Sequence, residues 1–317
     1  MMNIDGDRPM GAVIEVGTNS TKLFIGRLNQ DNSLETITYQ RKITRLGEGQ
    51  KEGGDLLNEA MWRTASTVKA YCDLARDRGV RQIVIISTHV LRAAENPLEF
   101  IERVKVLTGL EMEILTEEQE ALAARDGAML DYGGGPDRST VIIDIGGGST
   151  EIVRGIWCRS IPVGVVNLTE SFFDRDPPSD IDMVRASSRF RDYLLEEVKF
   201  MVPGDRVHLI GVGGTINAAA ALCQDLHEYD PTRIDGYLLD EKKIQHIYER
   251  LHRVSLEKRR EMMAFDPDRS DVIIAGMLIL RVLFRYFHVE SFRVSVKNVI
   301  HGTFMNKFAM GHKPRRD

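Results

Sequence analysis

The feature that most constrains how this 317-residue chain can fold is an internal repeat. Residues 13–23, VIEVGTNSTKL, align without a gap on residues 142–152, IIDIGGGSTEI. Glu15 falls on Asp144, Gly17 on Gly146, Ser20-Thr21 on Ser149-Thr150, and Lys22 on Glu151. Each copy has a β-rich apolar run, a turn of small and polar residues, and a second apolar run. That pattern reads as two strands joined by a tight turn. Strand and helix patterns alternate after each hairpin, which predicts two copies of one α/β unit. The alternative is a chance likeness of two glycine turns. Against it stands the shared register of the acid, the glycine and the Ser-Thr pair.

The rest of the chain supports two lobes. Residues 55–78 carry apolar or small positions near helical spacing and stop at Gly79; RQIVIIST (81–88) reads as a buried strand. Asn96-Pro97 reads as an N-cap with Pro at the first helical position, and Gly109 as the cap at the other end. Thr116 and Gln119 have capping-box spacing and put Glu117, Glu118 and Glu120 in the first turn of a helix. GGGP (133–136) reads as a connector, 180–201 as a long amphipathic helix, and 208–222 as strand, Gly loop and helix. Further helices are expected near 241–252, 255–263 and 271–287, and the tail KPRRD as frayed. Two domains follow, 1–138 and 139–297, with the C-terminal helix from about 298 to 317 folding back on the first.

Composition excludes several classes. With 42 basic against 47 acidic residues the net charge is −5, which argues against sequence-independent nucleic-acid binding. Cys72, Cys158 and Cys223 form no CxxC pair and no disulfide framework, so a reducing compartment is the simpler reading. The opening MMNIDGDRPM has no apolar signal core. The longest apolar run ends at Arg281 and is too short to span a bilayer. A cytoplasmic protein without membrane or nucleic-acid partners is expected, and a homodimer from the prevalence of two-fold pairs.

The turns carry the chemistry. Small residues let backbone N–H groups approach an anion closely. The hydroxyls of Thr18, Ser20, Ser149 and Thr150 add donors. Glu15 and Asp144 end their strands, where a hard cation could link them to phosphate oxygens. Two ordinary β-hairpins remain the bland alternative, but a third Gly loop, GVGGT (211–215), favours phosphate binding. No GxxxxGK[ST] is present, and the Gly runs do not fit a dinucleotide fingerprint. The histidines lack HxxxH or HExxH spacing. His227, His246 and His252 read as polar-face residues, and Trp62 and Trp157 as core or edge packing. Lys258-Arg259-Arg260 reads as a solvated helix face, or else as a rim for a polyanion.

EVGTNS, DIGGGSTE and GVGGT resemble the phosphate and nucleotide signatures of the acetate kinase, sugar kinase, heat-shock protein and actin superfamily. More specifically, STHVLRAAENPLEF (87–100), ILTEEQEA (114–121), GVVNLTE (164–170) and DRSDVIIAG (268–276) resemble segments of the exopolyphosphatase and guanosine pentaphosphate phosphohydrolase family. The likeness runs from about 11 to 302. It implies two duplicated actin-like (ribonuclease H-like) lobes with an interdomain cleft, of the short type without an added helical domain. It also implies hydrolysis of the terminal phosphate of inorganic polyphosphate, of guanosine pentaphosphate, or of both.

Carried over by position, the resemblance makes Glu120 the catalytic glutamate. Asp144 and Glu151, with Glu15, become the acids around Mg2+ or another divalent cation, with K+ as a candidate monovalent ion. Phosphate contacts fall to Gly17, Thr18, Asn19, Ser20, Lys22 and Arg92, to Gly146, Gly147, Gly148 and Ser149, and to Gly213, Gly214 and Thr215. Without the resemblance, Glu117 and Glu118 are equal candidates to Glu120, Arg92 is as easily a surface arginine, and Lys22 a solvated strand residue. Three positions depart from the family pattern. Glu15 stands where Asp is usual, Val299-Ile300-His301-Gly302 lacks an arginine that is often present, and His89 replaces a small residue. The expected activity is Mg-dependent exopolyphosphatase, with Glu120 activating water. Guanosine pentaphosphate hydrolysis, a non-catalytic sensor of guanosine tetra- or pentaphosphate, and a small-molecule kinase of the superfamily are the alternatives.

Overall fold

The computed structural model describes residues 10–31, 33–50, 54–130, 132, 139–198 and 207–309. The chain opens with strands β1 (Gly11–Val16), β2 (Ser20–Leu28) and β3 (Leu34–Ile43), helix α1 (Asn58–Asp77) and strand β4 (Gln82–Ser87). Helices α2 (His89–Arg92) and α3 (Pro97–Thr108) and strand β5 (Met112–Ile114) follow. Next come α4 (Glu117–Ala128), β6 (Thr140–Ile145), β7 (Thr150–Arg154), β8 (Trp157–Ile161), α5 (Val165–Phe172) and α6 (Asp180–Glu197). Then β9 (His208–Val212), α7 (Gly214–Cys223), α8 (Pro231–Ile234), β10 (Leu238–Asp240), α9 (Glu241–Leu251) and α10 (Leu256–Met262) lead to α11 (Ile273–Phe287), β11 (Ser291–Val294) and α12 (Val299–Phe304).

Two units form. One runs to Thr116 and resumes at Val299; the other spans Glu117–Asn298. The division therefore precedes α4 instead of falling near residue 138, because α4 packs on strands β6 to β9 of the second unit. Residue 138 itself, the connector 133–136, residues 199–201 of the expected long helix and the tail 313–317 lie outside the described residues.

The repeat extends to sheet topology. The first sheet has the order β3-β2-β1-β4-β5, the second β10-β11-β9-β6-β7-β8. In each, an antiparallel hairpin lies beside parallel strands: β1 pairs with β2 and β4, and β6 with β7 and β9. Read from the hairpin outward, β3-β2-β1-β4-β5 matches β8-β7-β6-β9-β11, with β10 added at the far edge. The chain is a duplicated α/β protein.

Strand alternation gives each sheet two different faces. Ala12, Ile14, Val16, Leu23 and Ile25 build the first core with Met61, Val68 and Cys72 of α1 and Phe100 and Val104 of α3. Val13 and Phe24 face the other way, and the Phe24 ring packs 5.1 Å from that of Phe304 on α12. Glu15 and Lys22 share that second face. In the other unit, Val141, Ile143, Ile145 and Ile152 build a core with α6, α9 and α11. Asp144 and Glu151 point to the opposite face, which α4 covers with Ala121, Ala124 and Ala128. Small residues let α4 come close; a Cβ on Gly127 would stand 2.1 Å from the Asn298 carbonyl oxygen.

Several expectations are corrected by packing. Asn96 does not cap α3 with its side chain; its Oδ1 accepts from Leu56 N–H at 2.8 Å and its amide donates to Leu56 O. Gly109 does end α3, at φ 71°. Lys258-Arg259-Arg260 is not a wholly solvated face. Arg259 is buried and donates to Ser270 O, Val254 O and the Asp176 carboxylate. Neither tryptophan is in a core. Trp62 is half exposed beneath the Arg103 guanidinium, and Trp157 is exposed at the start of edge strand β8. Among the described residues no helix is long and apolar enough to cross a membrane.

Candidate active site

The second hairpin turn is built as an anion cradle. Gly146 N–H closes the turn on Ser149 O at 2.9 Å. The first turn of α5 then takes the loop carbonyls in order. Val165 N–H donates to Gly146 O at 3.0 Å, Val166 N–H to Gly147 O at 2.8 Å, and Asn167 Nδ2 to Gly148 O at 2.8 Å. In a trans peptide the N–H points opposite to the carbonyl of the same plane. The N–H groups of Gly147, Gly148 and Ser149 therefore face away from α5 as a row of donors. Gly164 makes this approach possible, since a Cβ there would stand 2.4 Å from the Gly147 carbonyl carbon. The Ser149 hydroxyl, expected on phosphate, instead donates to Glu151 Oε1 at 2.5 Å, and that of Thr150 to Val163 O.

Behind the cradle stand three carboxylates. Asp144 and Glu151 are direct cross-strand partners of β6 and β7, a like-charge pairing that destabilises a hairpin unless something offsets it. Ser149 and Ser160 hydroxyls both donate to Glu151 Oε1. Burial pushes the Glu151 carboxyl well above the usual range, and the charges of Glu120 and Asp144 push it further. Glu120 is buried on α4, whereas Glu117 and Glu118 are exposed. Packing therefore separates three glutamates that the sequence leaves equivalent.

Next to Asp144 lies the third Gly loop. Gly213 sits at φ 94° and ψ 168°, before α7, and a Cβ there would stand 2.4 Å from Asp144 Oδ1. Gly214 is pressed by Arg269, whose guanidinium carbon would lie 2.5 Å from an added Cβ. Arg269 is buried and paired with Asp266 at 3.0 Å. Thr215 is buried, with its methyl group against Gly276 of α11. Sequence reasoning gave Arg269 no role; its signal was the DRSDVIIAG segment around it.

The first unit has its own version of the cradle. Gly17 N–H closes on Ser20 O at 3.0 Å. Thr18 O accepts from Gly47 N–H, and Asn19 O from Thr44 and Arg45 N–H. By the same peptide-plane argument, the N–H groups of Asn19 and Ser20 face away from residues 44–47. The buried Asn19 Nδ2 has no hydrogen-bond acceptor among the described residues, which marks it as a donor awaiting a ligand. The supporting turn holds Arg45 at φ 47°, and Arg63 of α1 steadies it by donating to Thr44 O and Arg45 O. Neither arginine was anticipated. Lys22 donates to Glu15 Oε1 at 2.7 Å. Arg92 ends α2 and gives one N–H to Leu115 O at 2.7 Å. His89, on the same turn, is driven down to about 4, first by burial and then by Arg92.

These groups suit a divalent cation in one unit. Among the described residues no three His, Cys, Asp or Glu side chains form a ready-made cage. Mg2+ does not need one, because it keeps several waters and takes one or two carboxylates plus phosphate oxygens. Glu151, pressed by the charges of Glu120 and Asp144, fits that demand, since a dication offsets the repulsion.

Comparison with known proteins agrees with this geometry. Residues 27–309 match the family model described as the Ppx/GppA phosphatase family. A Ppx/GppA family member from Aquifex aeolicus is 30% identical, with a TM-score of 0.78 over 96% of this chain and 99% of its own. Exopolyphosphatase 2 of Mycobacterium tuberculosis is 27% identical over 92% of this chain and 96% of its length. The bifunctional 3-dehydroquinate synthase/phosphatase of Fusobacterium nucleatum is 27% identical over 93% of this chain, which spans only 46% of that protein. The family match covers the second sheet, the carboxylate cluster and the cradle at Gly146–Ser149, so the chain belongs to the Ppx/GppA phosphatase family and, with it, to the hydrolases of phosphoanhydride bonds.

Proposed function

We propose that the protein is an exopolyphosphatase that releases the terminal phosphate of inorganic polyphosphate with Mg2+. The observation that carries this reading is the pair of buried acids Glu120 and Glu151 with half-buried Asp144, beside a loop whose N–H groups are turned outward as anion donors. In the second unit, Gly146, Gly147, Gly148 and Ser149 bind phosphate oxygens through the backbone, and Gly213 leaves room beside Asp144 and Gly214 beside the Arg269 guanidinium. In the first unit, Gly17, Thr18, Asn19 and Ser20 bind phosphate through the loop, and Lys22 and Arg92 contribute positive charge. Asp144 and Glu151 hold the divalent cation, which when bound neutralises charge on the transferring phosphoryl group. Glu120 orients the attacking water and accepts its proton.

The likeness to a protein named Exopolyphosphatase 2 supports polyphosphate over guanosine pentaphosphate as the substrate of this chain. The reading includes a cytoplasmic homodimer without nucleic-acid or membrane partners. The test is phosphate release from short and long polyphosphate and from guanosine pentaphosphate with Mg2+, wild type against Glu120→Gln. Turnover should fall by about 10²–10⁴ in the variant while the melting temperature holds. Release from guanosine pentaphosphate alone would replace the substrate, and no release from any of them by folded wild type would overturn the hydrolase reading.

A further inference from the structure

Two residues expected to do different work touch each other. Glu15, expected among the cation ligands, has its Oε1 2.7 Å from Nζ of Lys22, expected as a phosphate contact. They are direct cross-strand partners of β1 and β2. The carboxylate side chain is only 7% exposed, whereas Lys22 keeps 17% of its side chain open to solvent. The pair lies against the first loop, because a Cβ on Gly17 would stand 3.9 Å from Glu15 Oε1. On that loop the buried Asn19 Nδ2 lacks an acceptor among the described residues. Lys22 occupies Oε1, while the buried Oε2 has no hydrogen-bond partner among the described residues; a dication drawn to that oxygen would stand close to the ammonium, and the two cations repel at short range. Taking Glu15 away from Lys22 would also cost a partly buried ammonium a charged partner at 2.7 Å.

We propose that Glu15 is a positioning residue that acts through Lys22 and does not ligate the divalent cation. The buried carboxylate holds the ammonium beside Gly17–Ser20, where it meets a phosphate oxygen of the substrate together with the Asn19 amide. The longer acid is then a fitted part of a two-residue anion contact. A shorter acid would fall short of the same ammonium by about one carbon–carbon bond. The inference rests on the reading of the substrate as a polyphosphate anion.

The test uses inorganic tripolyphosphate as probe, titrated calorimetrically without divalent metal. Glu15→Gln and Lys22→Met should each weaken binding about tenfold, the loss of one charge-assisted contact. The double variant should bind no worse than Lys22→Met, since both remove one interaction. Glu15→Asp keeps the charge but should also weaken binding, and adding Lys22→Arg, with its longer reach, should restore it. Losses that multiply in the double variant, or a Glu15→Asp protein that binds as wild type, would overturn the proposal. A second readout is the Mn2+ concentration that half-maximally raises the melting temperature. It should be unchanged in Glu15→Gln and raised at least tenfold in Asp144→Asn; a tenfold rise in Glu15→Gln would overturn the proposal. Wild type that binds no tripolyphosphate would sink the substrate reading together with the role of Lys22, while multiplying losses on a tight-binding wild type sink only the inference.

Discussion

Replacing Gly213 by alanine tests the tightest contact near the carboxylates, and its cost can be divided into two parts. Gly213 sits at φ 94° and ψ 168°, a region essentially reserved for glycine, and placing a side chain there costs about 1–3 kcal/mol. The added Cβ would also stand 2.4 Å from Asp144 Oδ1, well inside contact distance. Overpacking of that kind costs a further ~1–3 kcal/mol. The single variant should therefore lose about 2–6 kcal/mol. In an Asp144→Ala background the offending oxygen is gone, and only the backbone part, about 1–3 kcal/mol, should remain. Ile145 O, at 3.2 Å from the same Cβ, contributes equally in both backgrounds and cancels. Urea unfolding would be followed by far-UV circular dichroism and by fluorescence in a Trp62→Phe background. That substitution leaves Trp157, on β8 of the same sheet, as the sole tryptophan. Coincident transitions from the two probes are required before free energies are compared. An equal penalty with and without the Asp144 carboxylate would refute the contact. A single-variant penalty below about 1 kcal/mol would refute the backbone argument as well.

Other consequences follow from the same geometry. His89 titrates near 4 in the folded protein against an ordinary 6.5, so the unfolded chain binds its proton first as pH falls. Stability is complete above 6.5 and declines toward pH 4 by up to about 3 kcal/mol; thermal melts should show the decline, and His89→Asn should remove that part. The raised pKa of Glu151 has the opposite sign, its stability being full below the ordinary carboxylate range and lost as pH rises through the folded value. In metal-free buffer Glu151→Gln, which keeps an acceptor for Ser149 and Ser160, should melt higher than wild type at pH 8 and equally at pH 4; a lower melting point at pH 8 would contradict the repulsion argument. Gly164→Ala should push Gly147 off its α5 contacts, costing about 1–3 kcal/mol and weakening tripolyphosphate binding more than it changes Mn2+ binding. Equal loss of both ligands would mean that the substitution disturbs more than the cradle.

What could be read from the chain is what is encoded locally. The hairpins show themselves by apolar alternation and by a turn repeated in register, and the duplicated sheet order follows from them. Buried position is not local. Glu117, Glu118 and Glu120 occupy one turn, and only the docking of α4 on β6 to β9 decides which is enclosed. The same holds for Arg259, one of three consecutive basic residues, which is buried only because Asp176 and the carbonyls of Val254 and Ser270 surround it. Asn96 has the sequence look of a helix cap, yet its amide clamps Leu56, 40 positions earlier. The service of α5 to the Gly146–Ser149 loop was hidden for the same reason, since nothing in GVVNLTE says which carbonyls its first N–H groups will meet.

One relation was within reach of the sequence. A turn closed between Gly17 and Ser20 sets Glu15 opposite Lys22, and the matching turn sets Asp144 opposite Glu151. The backbone is the same twice, but the charge is not. In the first copy opposite charges meet and the pair is internally neutral. In the second, two acids meet, with a third, Glu120, acting on Glu151. Stability alone would favour the first solution in both copies, because like charges directly across a ladder are unfavourable. An arrangement that breaks a local rule at one copy of a repeat, while the other copy obeys it, points to a compensating partner outside the chain. On the proposed function, the partner chemistry that satisfies three acids beside a row of backbone donors is a divalent cation carrying a phosphate. For the neutral pair, on the same proposal, it is the phosphate alone.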